Sequence, residues 1–174
     1  MSTEKPTIVH VITNFAGVGG AEMMLARLIE QTESQYQHIV IALMKTSTVY
    51  QTTLQRCQAH YAFGWNGINT LPVTLKLRQL LKQWAPQAVQ CWMYHANVLT
   101  SLSLLGLKQA PKVFWGIHHS LASTKEESLS TKTALMLSRY LSSQPTGIVY
   151  CAHSSQIQHQ TYGLNNPQGV VIPN

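Results

Sequence analysis

The sequence predicts an α/β fold, a parallel sheet with helices on both faces. Short β-branched or apolar runs recur along the chain. Between them lie stretches whose apolar residues repeat at helical spacing, roughly ten to fifteen residues long, and strands separated in this way read as βαβ units. The 174 residues suit one compact domain, and a chain that is 45% hydrophobic and 10% charged has enough apolar surface for a buried core.

The elements follow in order. Thr7–Thr13 (TIVHVIT) is a β-branched run suited to a buried strand. After NFAGVGG, Ala21, Met24, Leu25, Leu28 and Ile29 form a helical stripe, with Glu22, Arg27 and Glu30 on the other face. His38–Met44 is a second strand, and a weaker third lies near His60–Phe63 before the turn-rich GWNGINTLP. A helix through Leu77, Leu80, Leu81 and Trp84 ends before Pro86, and Ala88–Met93 is a fourth strand. Ala96–Leu107 reads as a mostly buried helix with Gly106 at its end, and Lys112–Ile117 as a fifth strand. The polar loop HHSLASTKEESLST leads to a stripe of Ala134, Leu137 and Leu141. Gly147–Cys151, a helix over Ser154–Tyr162 and a final strand Gly169–Ile172 complete the pattern. The chain stops at Pro173-Asn174, directly after that strand, so the expectation is one domain of a longer protein.

Composition excludes several chemistries. There is no Asp, and the six carboxylates are Glu4, Glu22, Glu30, Glu33, Glu126 and Glu127. An EF-hand loop, an Asp-based magnesium site and a Ser-His-Asp triad are therefore unavailable. A paired-carboxylate glycosidase would have to use the adjacent Glu126 and Glu127, which rarely face one cleft together. Cys57, Cys91 and Cys151 are odd in number and without C-x-x-C spacing, which argues against a disulfide framework or structural zinc and for a reducing cytosol. None of the eight histidines shows H-x-x-x-H spacing, so no metal site is expected. No leader pattern opens the sequence and no run approaches a membrane span, so a soluble, cytoplasmic protein is expected. The net charge of +6 comes from scattered residues, among them Lys76, Arg78 and Lys82. No aromatic-interleaved basic strip accompanies them, so nucleic acid is not an expected partner. An anionic membrane surface or a phosphorylated substrate fits the charge, as does a merely solvated basic face.

In open parallel sheets ligands bind outside the carboxyl ends of the strands, and four loops there have unusual content. Asn14–Glu22 (NFAGVGGAE) combines glycines with a helix start, which suits an anion or simply a tight strand-to-helix turn. Its Gly17, Gly19 and Gly20 make neither G-x-G-x-x-G nor a P-loop. In the loop after the fourth strand, His95 and Asn97 are suited to bonding a polar ligand or to capping the next helix. After the fifth, His118 and His119 alternate sides, so one faces a cleft as donor or acid/base, unless both are structural. After the sixth come His153, Ser154 and Ser155, where hydroxyls cap a helix or meet a ligand.

These segments together resemble the start of the family-four GT-B glycosyltransferases. IVHVITNFAGVGGAEMMLARL resembles their first strand and G-x-G-G-A-E turn, and CWMYHANVLTSL their acceptor-side strand and helix. KVFWGIHHS resembles the strand ending in a His loop, IVYCAHSS the strand before a Ser-Glu helix start, and VVIPN the link into a second domain. The likeness spans essentially the whole chain in order. It implies two Rossmann-like domains facing one cleft, of which residues 1–174 are the N-terminal, acceptor-side domain, without the C-terminal donor-binding domain. It implies retaining hexosyl transfer from a nucleotide-sugar such as UDP- or GDP-sugar, with no metal required, to a sugar or lipid-linked glycan acceptor in cell-surface polysaccharide synthesis. This domain alone would bind no cofactor and be inactive, and the enzyme would be cytoplasmic or peripheral at the inner face of the membrane.

By the same resemblance, Gly19 and Gly20 place N–H groups near the donor diphosphate, and His119, or His118 beside it, corresponds to the strand-end His near the reacting sugar. Asn14, Gly17, His95, Asn97 and Ser154 are the candidate substrate contacts. Two positions depart from the pattern: His153-Ser154-Ser155 replaces Asn-Ser-Glu, and Pro86-Gln87 replaces Pro-Asp. A non-catalytic binding or membrane-docking module of the same fold is the rival reading. A dinucleotide oxidoreductase is disfavoured, because Lys45 stands where a ribose-binding carboxylate is expected.

Overall fold

The computed structural model describes residues 5–121, 123, 125 and 127–173. Glu126, one half of the glycosidase pair considered above, lies outside the described residues, as do Glu4 and Asn174. Among the described residues a single seven-stranded sheet is formed by β1 (Thr7–Ile12), β2 (Gln37–Ala42), β3 (Ala59–Ala62), β4 (Ala88–Trp92), β5 (Lys112–Ile117), β6 (Gly147–Tyr150) and β7 (Gly169–Val171). The order is β3-β2-β1-β4-β5-β6-β7, and every pairing is parallel. The chain winds outward from β1 in one direction, then returns to its other side at β4. That reversal leaves a crevice above the β1–β4 seam, where Ile12 pairs with Trp92.

Helices are α1 (Gly20–Thr32), α2 (Gln51–Gln55, entered through a 3-10 turn at Thr48–Tyr50), α3 (Thr70–Trp84), α4 (Tyr94–Leu104), α5 (Leu129–Leu141) and α6 (His153–Tyr162). On one face of the sheet, Ile12, Val40, Ala42 and Trp92 pack with Leu25 and Ile29 of α1 and Leu54 of α2. On the other, Val9, Val11, Ile39, Ile41, Cys91 and Trp115 pack with α3, α4 and α5. Alternate residues along β1 and β2 thus serve opposite layers, and the Val/Ile runs read from the sequence are buried on both sides. The sequence-based elements are all present. The additions are the 3-10 turn and α2, whose TVYQTTLQ lacks an apolar stripe. α3 stops where Ala85 turns left-handed (φ 41°) before Pro86. α4 starts two residues earlier and ends three residues sooner than the spacing predicts, with Gly106 (φ 71°) beyond it.

The α1 face also buries a chain of polar groups. Trp92 Nε1 donates to His10 Nδ1 at 3.4 Å. The His10 proton therefore sits on Nε2, which donates to His38 Nδ1 at 3.0 Å, and His38 Nε2 in turn donates to Thr32 Oγ1 at 3.0 Å. The Thr32 hydroxyl ends the run by donating to the Leu28 carbonyl. Each donor points the same way, so both imidazoles are satisfied in the neutral form. Burial first, then His38, pushes His10 down to about 3 from its ordinary 6.5. Burial likewise lowers His38, against the opposing pull of the Thr32 hydrogen bond and the Glu33 charge.

Candidate functional site

A pocket of about 240 Å³ opens over the β1–β4 seam. Its walls come from the ends of β1 and β4, the first turns of α1 and α4, the loop after β5 and the approach to α5. A larger groove of about 720 Å³ lies at the opposite, amino-terminal ends of the strands, beside Lys82, Lys108 and Lys112. The seam pocket has the convergent polar groups that a ligand site requires.

At the end of β1, Thr13 and Asn14 line this pocket. Thr13 Oγ1 and Asn14 Oδ1 are shielded from solvent and have no hydrogen-bond partner among the described residues. The loop beyond is tied down: Phe15 stacks on Tyr50 at 4.1 Å, and the Tyr50 hydroxyl donates to the Gly17 carbonyl at 2.8 Å. Burial, then the Glu22 charge, raises the Tyr50 phenol. Gly19 is the N-cap of α1 and supplies no side-chain cap to the first turn. The Glu22 carboxylate folds back over this turn: a Cβ at Gly19 would come within 2.5 Å of it, and one at Gly17 within 3.3 Å. Any side chain at position 19 would displace Glu22 from the pocket wall. Gly17 and Gly19 thus lie behind Glu22, while Asn14, Ala21 and Glu22 line the site, and Gly20 is not among the lining residues.

β4 enters α4 without a loop. Met93 has φ 75°, costly for a side-chain-bearing residue, and this turn places Tyr94 and His95 directly in the pocket. Tyr94 donates its hydroxyl to His159 Nε2 at 2.6 Å, and His159 Nδ1 donates to the Ser155 carbonyl at 2.7 Å. Burial lowers His159 and raises the Tyr94 phenol, and the Glu127 and Cys151 charges lift the phenol further. His95 Nε2 lies 2.8 Å from Ser130 Oγ, with its ring 5.0 Å from Trp65, and burial lowers its pKa. The capping role considered for Asn97 is corrected. It does not cap α4, whose N-cap is Met93; it sits inside the helix, fully buried, and is not among the residues that line the pocket.

His119 lines the pocket with Nε2 2.8 Å from Glu127 Oε1. The backbone behind it is pinned by α6: Ser155 Oγ donates to the His119 carbonyl at 2.8 Å, and Gln158 Oε1 accepts from the Leu121 N–H at 2.8 Å. His118 points the other way and stacks on Trp92, centroids 5.0 Å apart and planes at 19°. Ser154 does not cap α6, whose N-cap is Ala152; it is exposed on the first turn of that helix and is not among the residues that line the pocket. Its neighbour Ser155 makes the contacts instead. Sequence reasoning missed Glu22, Met93, Tyr94, Glu127 and Thr131 as wall residues. Glu22 was findable, as the acid of the glycine turn. Glu127 was not, because its contact closes across a loop.

The fold defines a class: Rossmann-like α/β domains of the GT-B type. Anabaena HepE, solved in complex with UDP, superposes with a TM-score of 0.73 at 15% identity, over 97% of this chain and 44% of HepE. The lipopolysaccharide outer core galactosyltransferase WaaB gives 0.69 at 15% identity, over 97% and 45%. UDP-N-acetylglucosamine 2-epimerase from Rickettsia bellii gives 0.65 at 11% identity, over 97% and 44%. The chain spans less than half the length of each of these proteins. No curated protein sequence matches it. The model of Glycosyltransferase Family 4 matches residues 18–174, and the chain belongs to that family.

Proposed function

We propose that this chain is the acceptor-binding, N-terminal part of a retaining glycosyltransferase. It would move a hexose from a nucleotide-sugar to a glycan or lipid-linked acceptor in cell-surface polysaccharide synthesis. The observation that carries the reading is the seam pocket itself. Thr13, Asn14, His95 and His119 line it together beside the first turn of α1, which the Glu22 carboxylate overhangs, and the Thr13 and Asn14 side-chain oxygens have no partner among the described residues. Such a surface suits a polyhydroxylated ligand next to an anionic one. HepE, which shares the fold, is solved with UDP-glucose as well as UDP, and this supports a nucleotide-sugar as donor.

In this reading the Glu22 carboxylate swings off the first turn of α1 when donor binds, the N–H groups at Gly19 and Gly20 then face the departing diphosphate, and the helix end stabilises its charge. His119 meets a sugar hydroxyl near the reacting carbon, and Asn14 and His95 orient the acceptor. The chain's own contribution is placement: holding two sugars in line lowers the barrier without a covalent step on these residues. Donor contacts would be completed by a second domain. The test is the full-length gene product with a panel of UDP- and GDP-sugars. His119→Ala should lower turnover about a hundredfold with an unchanged melting temperature. Ordinary turnover in that variant removes the role of His119, and absence of both transfer and donor binding in the wild type removes the reading.

One surface favours peripheral membrane association at the cytoplasmic face. Ile68, Leu71 and Leu75 form an exposed stripe at the start of α3, with Ile68 94% accessible, and Lys76 and Lys82 follow on the same helix. Apolar anchors followed by cations suit an anionic bilayer. Co-sedimentation with vesicles of anionic and neutral phospholipid tests this: preference for the anionic vesicles, lost in Leu71→Ser/Leu75→Ser, is expected, and equal partition overturns it. Among the described residues no helix is long and apolar enough to cross a membrane.

A further inference from the structure

We propose that Glu127 is the positioning residue for His119, deciding which ring nitrogen the imidazole offers to a ligand. The inference rests on the glycosyltransferase reading only for its kinetic consequence. The backbone of the loop after β5 is fixed from α6, through Ser155 on the His119 carbonyl and Gln158 on the Leu121 N–H and the Ser120 hydroxyl. Those contacts leave the imidazole ring itself undetermined, both in rotation and in tautomer.

Glu127 supplies what is missing. An ionised carboxylate only accepts hydrogen bonds, so the 2.8 Å contact requires the proton of His119 to sit on Nε2. A neutral ring so held presents Nδ1 as an acceptor to a hydroxyl in the pocket that both residues line. The carboxylate is the better shielded partner, 20% accessible against 43% for the imidazole, so it backs the ring rather than competing for solvent. Tyr94 closes another side of the ring, edge-on at 6.4 Å, and is itself held by His159.

The placement of Glu127 is built into the chain. It directly precedes Ser128, the N-cap of α5, whose hydroxyl accepts from the Thr131 N–H at 3.1 Å. Two residues into the same helix, Ser130 reaches His95 at 2.8 Å. The start of α5 therefore holds both pocket histidines. In this arrangement His119 recognises a sugar hydroxyl by accepting its proton in a hydrogen bond, and Glu127 acts only through His119.

The experiment uses the full-length gene product labelled with ring-¹⁵N histidine, with the His119 signals assigned by their loss in His119→Ala. The wild-type ring should show a protonated Nε2 and a bare Nδ1. Glu127→Ala should mix the two tautomers, and Glu127→Gln, whose amide oxygen still accepts, should restore the wild-type pattern. In the transfer assay Glu127→Ala should lower kcat about tenfold while KM for the donor stays within about twofold, and Glu127→Gln should recover most of the rate. Should Glu127→Ala fail to fold, Glu127→Leu fills the same volume without accepting a hydrogen bond and gives both readings. An identical His119 ring spectrum in wild type and in the Ala or Leu variant overturns the proposal, as does an undiminished kcat. A wild type that transfers no sugar would defeat the functional reading, while the ring spectrum would still decide the role of Glu127.

Discussion

The molecule holds two pairs of histidines that use similar partners for opposite ends. His10 and His38 lie under α1, 0% and 2% accessible, bonded to one another and bracketed by an indole and a hydroxyl. His95 and His119 stand at the pocket, each with one nitrogen against a residue near the start of α5, Ser130 or Glu127. In the first pair every ring nitrogen is spoken for, so a ligand has nothing to bind. In the second the side-chain partners leave Nδ1 of each ring uncommitted among the contacts described above. The type of residue is the same. What separates a structural imidazole from a candidate functional one is whether its hydrogen bonds close inside the protein or end at a cavity.

That contrast can be broken most sharply at His10. Replacing it by Ala strands the Trp92 indole and His38 Nδ1 in the core and opens a cavity, and should cost about 3 kcal/mol of stability in urea unfolding. A loss below about 0.5 kcal/mol would show the chain of donors to be dispensable. The acid response comes next. A folded chain that keeps His10 neutral refuses the protons that the unfolded chain accepts. Stability is therefore full above about pH 6.5 and falls as the pH drops toward about 3, on the order of 1.4 kcal/mol per unit from His10 alone. His38, His95 and His159 are also lowered by burial and add in the same direction. Urea midpoints between pH 7.5 and 5 measure the slope, which should shrink in the His10 variant; a flat wild-type profile would contradict the buried pair. The smallest effect belongs to the pocket. His119→Ala should leave stability within about 0.5 kcal/mol of wild type in the same assay, because its ring is half exposed, and a larger loss would make that imidazole structural as well.

The same distinction explains how much was legible beforehand. The seven strands and their helices are written in local periodicity: TIVHVI, the Leu77/Leu80/Leu81 stripe and the Pro86 stop each act through neighbours in sequence. α2 was invisible because Gln51–Gln55 forms from the 3-10 turn before it and buries only Thr53 and Leu54. At the candidate site, the loops that line the pocket could be located from the strand ends, but not the side chains within them. Asn97 looks like a cap until α4 is seen to begin at Tyr94, which a single left-handed residue, Met93, makes possible. Ser154 and Ser155 are indistinguishable in sequence, and one helical step of about 100° puts the first in solvent and the second under the His119 carbonyl. Glu127 and Glu22 reach the pocket by folding back, and no periodicity encodes that.

The strand order has a consequence for how the pocket comes into being. β1 pairs first with β2, its neighbour in sequence, but its other edge waits for β4, whose partner residues lie about 80 positions further along the chain. Every pairing in the sheet is parallel, so no hairpin can bring the two halves together early. Closing so long a loop is slow, because its entropy is lost before the contacts that reward it are made. During synthesis the β1–β2–β3 half, with Asn14 and the glycine turn, emerges before Trp92 and Tyr94, the residues it will face across the seam. The site is thus absent from each half and arises at the moment of their joining.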